Sequence, residues 1–490
     1  SVKDFYLTHV LSKESASAHI NGDIHIHDLD FYTLTLTCCQ IDLLKLFHNG
    51  FSTGHGFLRE PNDIRSYAAL ACIVIQANQN DMHGGQAVPN FDFAMAEGVR
   101  KTYQKLFRNN IIKYIKFVDN IDLTDDIKAY FKELYSLDLD PRYHDKESTE
   151  KVFDLLKKRY PKCSFDKISN SVVADSEREV EDQTHQAMEA LIHNLNTMHS
   201  RAGAQVPFSS LNYGTDTSEE GRLAVKSILQ ATSEGLGDGE TPIFPIQIFK
   251  VKEGISYNPT DPNYDLFQLA IKCSAKRLFP NFSFLDAPFN KQYYKEGDYN
   301  TEVAYMGCRT RVMGNVYDPS KEVTCGRGNL SFTSINLPRL GIESNHDIKL
   351  FFKKLDDMCD LVIKQLLERF EVQRHKKVKN MPFLMSQHVW IDSDKLSWED
   401  EIDEVIRHGT LTVGFIGLAE CLVALTGKHH GESLESQALG LKIVSHMREK
   451  MDKAAKKYKL NFSLIATPAE GLSGRFIKMD KKKYGVIKGI

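Results

Sequence analysis

The chain has 490 residues, 42% hydrophobic and 26% charged, with a formal net charge of -3. That is ample apolar material for a large core, and the near balance of charge gives no general electrostatic reason to expect nucleic acid or a membrane surface as a partner. No run of about 18 apolar residues suggests a membrane span. The nine cysteines include no Cys-x-x-Cys pair, which points away from a disulfide scaffold or a cysteine zinc site and toward a reducing, cytoplasmic setting.

The start, SVKDFYLTHVLSKES, has no initiator methionine and no leader pattern; it reads as the interior of a helix. Ile24, Ile26 and Leu29 are spaced by His25, His27 and Asp28, which predicts a short strand ending in a turn. The Thr/Leu alternation of TLTLTCC predicts a strand up to Cys38, with helical spacing taking over at Ile41, Leu43, Leu44 and Phe47. Residues 61–80 read as a helix with Pro61 near its start and Ile64, Ala68, Ala71 and Ile75 on one face. HGGQAVPNFD (83–92) is expected as a loop. Residues 109–180 are charged and glycine-free, a mobile or peripheral helical insertion.

Residues 180–200 form a helix striped by Met188, Leu191, Ile192, Leu195 and Met198. QVPFSSLNYG (205–214) and TPIFPIQIF (241–249) are strands that Pro207, Pro242 and Pro245 push toward sheet edges or strand ends. NLSFTSINLPR (329–339) is a further strand. A helix over 347–370 turns Phe351, Phe352, Leu355, Met358, Val362 and Leu366 inward. TLTVGFIGLAECLVALTG (410–427) is a buried strand turning at glycine into a helix, and FSLIATPAEGLSGRF (462–476) is a strand, loop and helix. Strands alternating with helices favour a mostly parallel α/β architecture. The end, KKKYGVIKGI, carries no terminal signal, so both ends are expected to be cut from a longer chain.

Three sulfur-bearing stretches stand out: Cys38-Cys39, Met306-Gly307-Cys308, and Cys325 four residues before Asn329. A lone cysteine is ordinarily buried filler. Cys308 differs, because Gly307, Arg309, Thr310 and Arg311 fit a loop better than a packed element, and α/β folds place their sites on loops at strand ends. His25, His27 and Asp28 could be metal ligands, His-x-His on a strand putting both rings on one face; with no further ligand evident, a hydrogen-bonded turn shaping a pocket is favoured. In ATPAEGLSGRF, Thr467 can cap a helix with Pro468 at its first position, leaving backbone N–H groups for a phosphate; a plain capped helix is the equal alternative. LGDGETP (236–242) lacks the lysine of a P-loop, and KMDKKKYG (478–485) reads as solvated surface.

GDIHIHDLDFY with CCQIDL, HGGQAVPNFD, LGDGETPIFPIQIF, DPNYDLFQLAIKCSAKRLFPNF, MGCRTRV, GRGNLSFTSINLPR, TVGFIGLAE and FSLIATPAEGLSGRF together resemble the anaerobic (class III) ribonucleoside-triphosphate reductases, a glycyl radical enzyme family. The resemblance runs from about residue 15 to the end. It implies a ten-stranded α/β barrel of two five-stranded parallel halves, a homodimer, and a catalytic finger loop inside the barrel with Cys308 at its tip. That thiol would act as a thiyl radical on the 3′ hydrogen of a ribonucleotide, shielded from water. Cys38 would protonate the departing 2′ hydroxyl and supply a hydrogen, Cys39 being structural. Met306 would assist the sulfur chemistry and Asn329 would hydrogen-bond the ribose. The triphosphate would sit near Thr467, Pro468, Ala469 and Glu470, with His25 and His27 lining the pocket without metal.

Met306 with Asn329 implies the branch that uses formate as electron donor; Cys325, as a possible additional redox cysteine, leaves a small redoxin open. The resemblance also implies ATP and deoxynucleotide effectors, with helices near 58–80 and 180–200 as places for them, and a radical-SAM activase. The family's ATP-cone, its glycine radical loop and its four-cysteine zinc site match nothing within residues 1–490, so the chain is expected to be the catalytic barrel domain and inactive alone. Two rivals remain: another glycyl radical enzyme of formate-lyase or dehydratase type, and a catalytically silent nucleotide-binding paralogue. Substrate preference is not legible.

Overall fold

The computed structural model describes residues 1–199, 205–307, 310–469 and 471–490. The chain divides into two compact units. The first takes Ser1–Ile41, Asn78–Gln86 and Arg309–Ile490; the second takes Asp42–Ala77 and Ala87–Cys308. Among the described residues no helix is long and apolar enough to cross a membrane.

In the first unit, three parallel strands lie side by side: Gly328–Asn336, Thr410–Ile416 and Asn461–Ala466. The middle one is flanked on both sides, Thr412 standing between Phe332 and Ser463. This explains why its sequence is an almost unbroken apolar run. Helices Ile348–Arg374 and Leu434–Tyr458 lie in the two crossovers. Their starts are fixed by side-chain caps: Asp347 accepts from Leu350 N at 3.1 Å, and Ser433 accepts from Ser436 N at 3.1 Å. At Gly417 the backbone turns from strand to helix with φ +77, where a Cβ would stand 2.4 Å from the Pro338 ring. The buried stripe of the 348–374 helix runs Phe351, Leu355, Cys359, Val362 and Leu366; Phe352 and Met358, expected inward, are only half-buried.

Two short strands run antiparallel to Gly328–Asn336. Ile24–Ile26 pairs with its far end, Ile24 opposite Ile335, and Cys38–Gln40 pairs with its near end, Cys38 opposite Asn329. The Ile24–Ile26 strand ends in the expected turn, with Asp28 at φ 55. The Thr/Leu stretch differs from expectation. Residues 32–34 lie in a turn, Leu34 N and Thr35 N both donating to Phe31 O, and the strand begins at Cys38 rather than ending there. From Leu36 onward, N–H groups go alternately to the 81–85 segment (Leu36 to Asp81 O, Cys39 to Gly85 O) and to the 327–329 segment (Thr37 to Asn329 O, Gln40 to Arg327 O). This two-sided pairing is long-range, and local alternation cannot report it.

The second unit repeats the alternation. Strands Ser209–Tyr213, Ile246–Val251 and Asn281–Phe284 are parallel, with helices Glu219–Glu234 and Tyr264–Arg277 between them. Pro207 and Pro245 precede their strands, as expected of strand ends. The Asn281–Phe284 strand was not anticipated, and Gln86–Val88 is a three-residue strand inside the stretch expected as a loop. The 61–80 helix is found at Ile64–Asn78 with its predicted face buried. Residues 109–180 are helical, comprising Thr124–Ser136, Lys146–Arg159 and parts of two long helices, Phe91–Asp119 and Phe165–Thr197. The 180–200 stripe belongs to that last helix, which ends before Met198.

Candidate active site

The near end of the Gly328–Asn336 strand brings two predicted residues together. Asn329 stands opposite Cys38, and its Nδ2 donates to Cys38 Sγ at 3.7 Å. Both are buried, Asn329 at 5% and Cys38 at 9% exposure. Gly328 permits the approach: a Cβ there would stand 1.8 Å from Cys38 O. Burial first, and the Asp28 charge second, push the Cys38 thiol up to about 12 against the partial relief of Asn329 and Gly85. Cys38 is therefore a protonated thiol at neutral pH, suited to giving up hydrogen rather than to nucleophilic attack as a thiolate. The Asn329 Oδ1 has no hydrogen-bond partner among the described residues. A buried amide oxygen without a donor is costly, and a ligand hydroxyl beside Cys38 would satisfy it. Cys39 is fully buried, its thiol also raised by burial and directed at Gln40 O at 3.6 Å, as a packing residue would be.

At the far end of the strand, His27 Nε2 lies 2.8 Å from Ser334 Oγ, and Ser334 Oγ lies 2.8 Å from Thr467 Oγ1. The His27 ring stacks on Phe332 with centroids 4.1 Å apart. His25 meets His27 edge-on and lies beside His19. His19 Nδ1 accepts from Ile26 N at 3.1 Å, and Arg475 Nη1 lies 3.1 Å from His25 Nδ1. For His19 and His25 these donors fix neutral rings with Nδ1 as acceptor. Burial, aided by neighbouring positive charge, lowers His19 to about 4 and His25 to about 3. Burial likewise lowers His27 to about 4, against the pull of Asp28. Arg475 is thus the Nδ1 neighbour of His25. Burial alone would raise the Asp28 carboxyl, but the hydrogen bond and charge of His83, 3.3 Å away, hold it below its usual value. The buried Arg369 fastens the same turn, donating to Tyr32 O and His27 O at 3.1 Å.

Thr467 does not cap a helix. It is held by Ser334, Pro468 and Ala469 lie in the loop, and the helix runs Gly471–Tyr484. Glu470 lies outside the described residues. Sequence reasoning missed Arg475, which sits on that helix. Its Nη2 donates to His19 O and its ring-facing contact is Phe476. Among the described residues it forms no ion pair, and burial with the nearby Arg339 lowers its pKa. A half-buried guanidinium among neutral imidazoles is short of negative charge. The signal for it was the arginine in GLSGRF, one turn into the predicted helix.

In the second unit, Met306 is 3% exposed within the short strand Tyr305–Met306. Cys308 lies outside the described residues. Cys325 is buried in the first unit beside Gly326, whose N–H donates to Gln40 O at 2.8 Å. Two positions further on, Arg327 is fully buried: its Nη1 donates to Met313 O at 2.8 Å and Val323 O at 3.0 Å, and its Nη2 to Gly314 O at 2.8 Å. Among the described residues, one group of three potential metal ligands converges in the second unit, His185, Glu189 and Glu234, the two glutamates exposed.

A protein with this mixed α/β fold, a buried thiol opposite an under-satisfied asparagine and a histidine–arginine pocket can be compared with known families. Residues 1–490 match the family described as anaerobic ribonucleoside-triphosphate reductase, and the chain belongs to that family. The anaerobic ribonucleoside-triphosphate reductase of Haemophilus influenzae is 28% identical over 499 residues, covering 100% of this chain and 61% of the relative. The chain thus spans about three-fifths of that relative's length. The anaerobic ribonucleotide reductase of Thermotoga maritima with citrate in the active site matches with a TM-score of 0.62 at 14% identity, covering 99% of this chain and 75% of the other. The same enzyme in complex with dATP and CTP matches at 0.61 and 13%, covering 99% and 68%. These likenesses show the shared fold.

Proposed function

We propose that residues 1–490 are the thiol-bearing catalytic part of an anaerobic ribonucleoside-triphosphate reductase. The reaction replaces the 2′ hydroxyl of a ribonucleoside triphosphate by hydrogen. With formate as donor it balances as ribonucleotide plus formate plus a proton giving deoxynucleotide, carbon dioxide and water. The observation that carries this reading is the unsatisfied Asn329 Oδ1 beside the protonated Cys38 thiol. A ribose hydroxyl there donates to Asn329, and Cys38 delivers the proton that lets the 2′ oxygen leave as water. Cys308 is the thiol that takes the 3′ hydrogen, and Met306 is the soft neighbour of that chemistry. A glycyl radical, housed outside residues 1–490 and installed by a radical-SAM activase, supplies the unpaired electron.

The phosphates are assigned to Thr467, Pro468, Ala469 and Glu470 and to Arg475, with His25 and His27 as neutral walls. Homodimerisation and control by ATP and deoxynucleotides belong to the same reading. The groove between helices Phe165–Thr197 and Glu219–Glu234 carries Glu181, Asp182 and Glu234 against Lys226, too acidic to hold a triphosphate unaided.

The test is anaerobic turnover by the native protein that carries this segment, activated and given a ribonucleoside triphosphate with carbon-labelled formate. Deoxynucleotide and labelled carbon dioxide in equal amounts are expected. Absence of deoxynucleotide contradicts the reading. Deoxynucleotide without labelled carbon dioxide removes formate and turns attention to Cys325 and a redoxin.

A further inference from the structure

The Tyr305–Gly307 segment is held by side chains of a neighbouring strand. Asn212 is fully buried, and its side-chain amide faces the Tyr305 peptide with both ends engaged. Its Nδ2 donates to Tyr305 O at 3.0 Å, and its Oδ1 accepts from Tyr305 N at 2.9 Å. Two residues earlier on the same strand face, Ser210 Oγ accepts from Gly307 N at 2.7 Å. Ser210 is also fully buried. The backbone of this strand pairs with its parallel neighbour, Ser210 opposite Ile246 and Asn212 opposite Ile248. Its side chains therefore act as a second ladder, giving Tyr305–Gly307 the bonds another strand's backbone would give. Gly307, at φ +67, lies against the Phe208 ring, which a Cβ would meet at 3.2 Å. Below this point Glu302 is tied to Thr215 at 2.8 Å and to the fully buried Lys250 at 3.0 Å.

We infer that Ser210 and Asn212 are positioning residues: they set the height and direction of the Tyr305–Gly307 segment and so deliver Met306 and the following thiol to the reaction. This rests on the reading of Cys308 as the radical thiol. Satisfying the Tyr305 and Gly307 peptide groups is the structural part of their work, which an apolar strand face could not do. Their value lies in direction, which hydrogen bonds give and apolar contact does not.

The experiment compares the native protein with Ser210→Ala, Asn212→Asp and Ser209→Ala. The last removes a buried hydroxyl with no hydrogen-bond partner among the described residues and serves as the control. The first readout is the alkylation rate of Cys308 followed by mass spectrometry, which needs no turnover. Ser210→Ala is expected to speed it roughly tenfold or more, because a segment that loses a buried anchor opens more often. Ser209→Ala is expected to match the native rate. In activated protein, Ser210→Ala is expected to lower kcat roughly 10–100-fold with KM for the ribonucleotide held. If Asn212→Asp does not fold, Ser210→Ala decides alone. Native alkylation rates in Ser210→Ala overturn the inference. If the native protein makes no deoxynucleotide, the functional reading fails, and the alkylation rates still decide the positioning role.

Discussion

Asn329 and Cys38 are cross-strand neighbours whose side chains touch, the Asn329 amide nitrogen donating to Cys38 Sγ at 3.7 Å. The other end of that amide is buried and unmatched among the described residues. The pair is thus half of a hydrogen-bonding set, and under the proposed function the ribose supplies the rest. Asn329→Ala is expected to lower kcat roughly 100-fold or more, the scale of a lost hydrogen-bonding group at the reacting atoms. The melting temperature is expected to change little, since the orphaned oxygen goes with the side chain. Steady-state kinetics beside a thermal melt check this; turnover within a few-fold of native contradicts it.

The Cys38 thiol is raised to about 12, chiefly by burial. An ordinary thiol alkylates with a midpoint near about 8.5. Peptide mapping after iodoacetamide treatment between pH 7 and 9.5 is expected to show Cys38 unmodified while exposed thiols react. Labelling with an ordinary midpoint would mean that the thiol is neither buried nor raised, and would contradict the enclosed setting described for it.

The histidine cluster makes folding sensitive to acid. In the unfolded chain these rings titrate near 6.5; folded, His25 titrates at about 3 and His19 and His27 at about 4. Between those limits the unfolded chain binds more protons, so stability rises with pH. The contribution is whole above about pH 6.5 and is lost as pH falls toward 3–4. His25→Gln keeps an acceptor for Arg475 and removes one titration. Its melting temperature is expected to fall less between pH 7 and 4.5 than that of the native protein. Parallel curves for the two proteins would remove His25 from the acid response.

Arg475 has neutral rings and a carbonyl around it and, among the described residues, no carboxylate partner. Arg475→Gln is expected to raise KM for a ribonucleoside triphosphate roughly tenfold or more, the worth of a charge-assisted bond to phosphate. The same change is expected to leave kcat within a few-fold, because the arginine is assigned to the phosphates and not to the ribose. A kcat loss at unchanged KM would place Arg475 elsewhere in the mechanism.

Much of this was legible in local pattern. The strand–glycine–helix turn at Gly417 follows from a buried apolar run meeting a residue that tolerates φ +77. The Ile24–Ile26 strand and its turn follow from strict alternation. The Thr/Leu stretch misled because its register is set by segments near 81–85 and 327–329, hundreds of residues apart in the second case. The Asn281–Phe284 strand is too short to show a period. Thr467 looked like a helix cap because Pro468 follows it, yet its hydroxyl is claimed by Ser334 from another strand. Cys38 and Asn329 were singled out by resemblance; that they face each other is a fact of strand pairing. Arg475 and Arg327 were passed over because an arginine's role depends on whether a carboxylate stands near it, and no single sequence window reports that.

The central claim is that Cys38 and Cys308 are two thiols of one radical reaction. The most direct measurement is deoxynucleotide formation by the activated, anaerobic native protein beside Cys38→Ser and Cys308→Ser, with stored radical followed by electron paramagnetic resonance and ribonucleotide binding by calorimetry. The account predicts that both variants bind ribonucleotide and retain the radical, yet neither makes deoxynucleotide. Native turnover by either variant would contradict it.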